Sequence, residues 1–116
     1  MKKVILSALF FVFLIAACSK GGSNGGGGSN ACAGVSAQYA ADVSPIISST
    51  CATNAGCHGS GATNGPGPLL TYSQIFAARA TIKTVVANGT MPQGGSLSTT
   101  QKNAIVCWIE GGAPNN

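Results

Sequence analysis

The stretch CATNAGCHG, Cys51 to Gly59, holds two cysteines and, directly after the second, the only histidine of the chain, His58. Two thiols with an adjacent histidine are the residue types of covalent haem attachment, whose usual bacterial pattern is C-x-x-C-H. Here five residues, Ala52 to Gly56, separate the cysteines. In that chemistry Cys51 and Cys57 form thioethers with the two haem vinyl groups, and His58 is held beside the iron as an axial ligand. Met91 is the only methionine after Met1, and it stands in NGTMPQGG. Pro92 and the flanking glycines suit a rigid ligand-bearing loop better than a core position. As the opposite axial ligand Met91 would raise the reduction potential, because thioether sulfur favours ferrous iron. A thioether also needs no deprotonation, so the ligand set holds over a wide pH range.

Each residue has a plainer role as well. Two cysteines this close in an exported protein most often form a disulfide. A lone histidine on a loop is usually solvated or capping, and a lone methionine usually fills a core. The joint occurrence carries more weight than any one residue.

Three helical segments are expected to position this set, and no alternating strand pattern of useful length is present. The first runs from Val43 to about Thr50, with Ser44 as cap and Pro45 in the first turn, and delivers the chain to Cys51. The second covers Tyr72 to Ala87 with Thr71 as N-cap. Its apolar positions Tyr72, Ile75, Phe76, Ile82, Val85 and Val86 recur at helical spacing, with Arg79 and Lys83 away from the core. A break is expected near Ala80-Thr81, and Asn88-Gly89 ends the segment as a left-handed cap. In the third, Ser98-Thr99-Thr100-Gln101 has the form of a capping box, Ile105, Trp108 and Ile109 make one stripe, and Gly111-Gly112 with Pro114 closes the helix. Irregular loops from His58 to Leu70 and from Thr90 to Leu97 connect these segments. Their glycines do not form G-x-G-x-x-G after a strand, so a nucleotide site has no support.

The amino-terminal segment reads as a targeting signal. Met1-Lys2-Lys3 precedes an apolar run, Val4 to Ala17, whose 14 residues suit a signal-peptide core and fall short of the roughly 20 that span a membrane. Ile15-Ala16-Ala17-Cys18 resembles the bacterial lipobox. The resemblance implies cleavage before Cys18 and lipid on that residue; the alternative is an ordinary secretory signal with Cys18 a structural cysteine. Ser19 is similar to the sorting position of lipoproteins sent to the outer membrane. Residues 1–17 are thus expected to be a signal peptide and 18–31 a lipid anchor and linker. The Gly/Ser-rich tether Ser19 to Ala31 reaches roughly 20 Å on flexible-chain statistics. Residues 32–116 hold the folded domain.

Charge is sparse. The formal net charge of +4 falls to +2 when Lys2 and Lys3 leave with the signal. The sequence pI of about 9.0 is therefore no argument for nucleic-acid binding, since no basic cluster remains. A domain this small buries little apolar surface and is expected to need a disulfide, metal or cofactor staple.

C-x5-C-H, then M-P about thirty residues later, then a short helix holding W-I-x-x-G-A-P, together resemble a small class I cytochrome c, most closely the monohaem domains of exported bacterial lipoproteins. The resemblance spans Val43 to Pro114 and rests on Cys51, Cys57, His58, Gly59, Met91, Pro92 and Trp108. It implies an all-α fold, a bundle of about three helices around a covalent haem c, with long irregular loops. It also implies Cys51 and Cys57 as thioether anchors, His58 and Met91 as axial iron ligands, and transfer of single electrons. The longer spacer departs from the usual motif. Its residues are small or turn-forming and suit an outward bulge.

With those thiols committed, pairing Cys32 with Cys107 leaves no free thiol and suits an oxidising compartment. The alternative, either of them bonded to Cys51 or Cys57, eliminates the haem reading. The expectation is a lipid-anchored electron carrier in the bacterial cell envelope, facing the periplasm and associated with the outer membrane. It would be no enzyme and have no small-molecule substrate. Its partners would be redox proteins at the membrane, and the lipid membrane itself through Cys18. A second histidine, an arginine cluster or paired carboxylates, which peroxidase-like or hydrolytic chemistry would need, are missing. Two rivals stand beside it. One is a haem-free, disulfide-stapled lipoprotein acting as a binding module. The other is a copper site of Cys57, His58 and Met91, which lacks the second histidine that blue copper normally takes.

Overall fold

The computed structural model describes residues 32–116. A π-helical turn, Tyr39–Val43, runs directly into α1 (Ser44–Thr50); α2 (Tyr72–Ala87) and α3 (Thr99–Glu110) follow. The described chain is all-α, with three α-helices and no strand.

The entry to α1 differs from expectation. Ser44 is the first helical residue and not a cap: its N–H donates to the Tyr39 carbonyl, so the preceding turn supplies an acceptor for it and no side-chain cap forms. The turn itself is closed by Val43 N–H donating to Gln38 O at 3.1 Å, while the Asp42 carboxylate accepts from Gln38 N–H at 2.8 Å. A single turn of five-residue spacing leaves no periodic trace in a sequence. Pro45 lies in the first turn as expected.

α2 begins at Thr71 as predicted, through a full capping box with Gln74. It does not break at Ala80-Thr81. Alanine is the best helix former, and the buried series Ile75, Ile82 and Val86 continues across the junction. Gly89, at φ +76°, follows the last turn in the left-handed region. α3 starts from the Ser98/Gln101 capping box. Past its end Gly112 and Ala113 are both left-handed, at φ +97° and +52°. Ala113 is fully buried, and its N–H donates to Trp108 O at 2.9 Å. The strain of a non-glycine residue there, on the order of 1–2 kcal/mol, is offset by burial and by Tyr72 Oη donating to its carbonyl at 2.9 Å.

The core joins these elements. Val43, Ile47, Ile75, Val86, Ile105 and Trp108 are the largest fully buried side chains. Tyr39 meets Tyr72 edge-on with ring centroids 5.0 Å apart and lies 5.7 Å from Trp108. The Trp108 indole N–H donates to Pro114 O at 2.8 Å, so the largest apolar surface is buried without orphaning its donor. Lys83 and Arg79 stay out of the core: Lys83 pairs with Glu110 at 3.0 Å, and the Arg79 guanidinium lies over the Phe76 ring. A pair that is still partly open to solvent, such as Lys83–Glu110, contributes under about 1 kcal/mol.

Cys32 and Cys107 form a disulfide, across a sequence separation of 75. It ties the start of the described domain to α3. No described helix is long and apolar enough to cross a membrane.

Candidate functional site

α1, α2, α3 and both long loops contribute to the walls of a cavity of about 530 Å³. Ile47, Leu69, Ile82, Val85, Val86 and Ile105 supply its apolar surface, and Thr50, Asn64, Thr81 and Gln93 its neutral polar one. Cys51, Cys57, His58 and Met91 all line it. The four residues that the sequence singled out for one chemistry therefore border one space. No Asp, Glu, Lys or Arg is among the lining residues.

Cys51 caps the C-terminus of α1, its N–H donating to Ile47 O at 2.9 Å. Burial pushes its thiol above the ordinary value of 9.0; the Thr50 hydroxyl opposes this and the neighbouring Cys57 adds to it. Cys57 is exposed, and neither thiol is bridged. Between them the spacer turns around Asn54. The Asn54 carbonyl accepts from Cys57 N–H at 3.1 Å and from Gly59 N–H at 2.8 Å, and its Oδ1 accepts from Gly56 N–H at 2.8 Å. The His58 N–H then donates to Cys51 O at 2.9 Å, closing the loop. The outward bulge expected for the spacer is an asparagine-centred turn.

His58 is held by the glycine-rich loop that follows it. Its Nδ1 lies 3.0 Å from Gly67 O. A carbonyl can only accept, so Nδ1 is the donor, and in the neutral imidazole that leaves Nε2 with the lone pair a metal needs. The His58 carbonyl in turn accepts from Leu69 N–H at 2.8 Å, and buried Leu69 pins that end of the loop to the core. Met91 returns to the cavity after α2 because its N–H donates to Val85 O at 3.1 Å. Its side chain is half-buried.

Cys32 and Cys107, bonded to each other, do not line the cavity. Cys18 lies outside the described residues. Among the described residues no group of three or more His, Cys, Asp or Glu side chains is placed to hold a metal ion; the copper alternative has one imidazole ligand because His58 is the only histidine in the sequence. Three contributors were not legible as site residues: Asn54, Asn64 and Gly67. Asparagine in a turn-forming spacer was the available signal for the first. An Asn-Gly pair was the signal for the second, and the backbone acceptor of the third leaves none.

No protein-family model, curated protein or solved structure matches the chain.

Proposed function

We propose that this chain is a single-electron carrier built around a covalently bound c-type haem, tethered to a bacterial membrane by lipid on Cys18. The observation that carries this reading is the convergence of Cys51, Cys57, His58 and Met91 on one apolar cavity. At about 530 Å³ the cavity lies within the usual range of cofactor pockets, roughly 300–1,000 Å³. The donor set also fits the group. Two unbridged thiols stand ready as anchors, an imidazole is held through Nδ1 so that Nε2 is left for a metal, and a thioether needs no proton released to bind.

Each residue has a defined part. Cys51 and Cys57 would each add sulfur to one vinyl carbon while the thiol proton goes to the neighbouring carbon, a step that needs no oxidant. His58, oriented through Gly67, and Met91, held by its backbone bond to Val85, would be the two protein ligands of the iron. With the group in place, the aliphatic walls of Ile47, Leu69, Ile82, Val85, Val86 and Ile105 would leave little polar surface beside it to reorganise when an electron is gained or lost. When bound, the haem supplies a one-electron Fe(III)/Fe(II) couple; the protein performs no bond chemistry of its own. Partners would be redox proteins at the envelope, in the periplasm and by the outer membrane. With no charged residue at the cavity, docking is expected to be mostly apolar and electron exchange to change little with ionic strength.

The haem-free alternative requires Cys51 and Cys57 to clasp a loop as a disulfide. Those two thiols are unbridged while Cys32 and Cys107 are bonded, and this favours the haem reading. The test is acid–acetone extraction of the full chain after expression in a host with haem-attachment machinery. Haem that stays on the protein, and is lost from a Cys51→Ala/Cys57→Ala variant, is the expected result. A chain that yields no protein-bound haem refutes the reading.

A further inference from the structure

The sequence leaves open how five residues fit between two anchors, and the structure answers it with a specific set of contacts. Asn54 accepts three backbone N–H groups, those of Gly56, Cys57 and Gly59. Asn64, on the far side of the glycine-rich loop, donates through Nδ2 to Gly56 O at 3.0 Å. Gly59 is packed against this turn: a Cβ there would lie 2.8 Å from the Asn54 carbonyl carbon and oxygen and 2.9 Å from its Cα. Its backbone is not left-handed, so glycine is required for close approach and not for φ. The same loop that sends Asn64 to the spacer sends Gly67 O to His58.

Both asparagines are exposed, so burial does not account for them. Their contacts converge on the segment carrying Cys57 and His58. We propose that Asn54, Asn64 and Gly59 are positioning residues that make the long spacer a preorganised loop, fixing Cys57 and His58 relative to Cys51 so that the second thioether forms. This rests on the haem reading above. Cys51 is placed by α1 and needs no such help, whereas exposed Cys57 has no helix to place it. Loosening the spacer therefore selectively costs the Cys57 attachment and leaves haem bound through Cys51 alone.

The experiment matures the full chain, wild type and variants, in a host with haem-attachment machinery. It measures the ratio of doubly to singly attached haem by mass spectrometry of the proteolysed protein, together with the reduction potential of each form. Asn54→Ala and Asn64→Ala each remove about one hydrogen bond. Each is expected to lower the ratio about fivefold, the equivalent of about 1 kcal/mol, with the single attachment at Cys51. Asn54→Asp keeps the acceptor for Gly56 N–H and should restore the wild-type ratio and potential, which a merely structural role would not separate from Asn54→Ala. Gly59→Ala should lower the ratio further by pushing the spacer backbone away. Wild-type protein loaded through both thioethers, with Asn54→Ala and Asn64→Ala indistinguishable from it, overturns this inference alone. Wild-type protein that carries no haem overturns the haem reading and this inference with it.

Discussion

The Cys32–Cys107 bridge closes a sequence separation of 75, and its removal has a calculable consequence. Chain-entropy arithmetic for a loop of this length gives about 15 cal/mol/K, or about 4.5 kcal/mol at ~25 °C. Small domains have only about 5–15 kcal/mol in total, so the bridge is a large share of what holds this one together. Its effect acts on the unfolded chain, and neither sulfur lines the cavity. The Cys32→Ala/Cys107→Ala variant should therefore keep the cavity and its ligand set while losing most of its margin against unfolding. In thermal unfolding followed by circular dichroism the midpoint should fall by roughly 20–35 °C. In urea the slope should rise, because an uncrosslinked denatured state exposes more surface. A loss below about 1 kcal/mol with an unchanged slope would show that the bridge does not constrain the unfolded ensemble.

Met91→Ala should keep haem covalently attached but lower its reduction potential, as loss of thioether ligation removes the preference for ferrous iron; an unchanged potential and spectrum would show that Met91 is not a ligand. In full chain produced without haem attachment, iodoacetamide should modify exposed Cys57 faster than Cys51. Because burial raises the Cys51 pKa above 9.0, its thiolate is scarcer than that of a free thiol at pH 8, and its rate should still be climbing above pH 9.0; equal rates with one pH profile would contradict its burial. Thr71→Ala and Ser98→Ala each remove a capping box and should cost about 1 kcal/mol in urea unfolding; no loss in either would mean that the boxes are not formed in solution.

Much of the scaffold could be read from residue pattern, because its helices announce themselves by local rules. The Thr71 N-cap, the Ser98/Gln101 capping box, the Asn88-Gly89 stop and the buried stripe through Ile105 and Trp108 depend only on near neighbours in sequence. The π-helical turn at Tyr39–Val43 was missed because one turn has no period to detect, and its presence explains why Ser44 is helical and uncapped. The expected break at Ala80-Thr81 is overridden by burial on both sides of it. Within the site, residue types that carry chemistry stood out: two closely spaced cysteines, Cys51 and Cys57, the only histidine, His58, and the only methionine after Met1, Met91, line one cavity. The parts that hold them did not stand out. Gly67 acts through its carbonyl, which every residue has, and Asn64 acts across eight positions to Gly56. The role of Gly59 is a steric one that appears only when Asn54 is folded against it.

In the proposed function Cys51, Cys57, His58 and Met91, among the residues that line the cavity, hold one haem that carries one electron. Spectroelectrochemical titration of the full chain, matured in a host with haem-attachment machinery, tests it most directly. A sharp α-band on reduction and a single reversible wave fitting one electron per protein are expected. No α-band, or a spectral change that does not follow a one-electron curve, would contradict it.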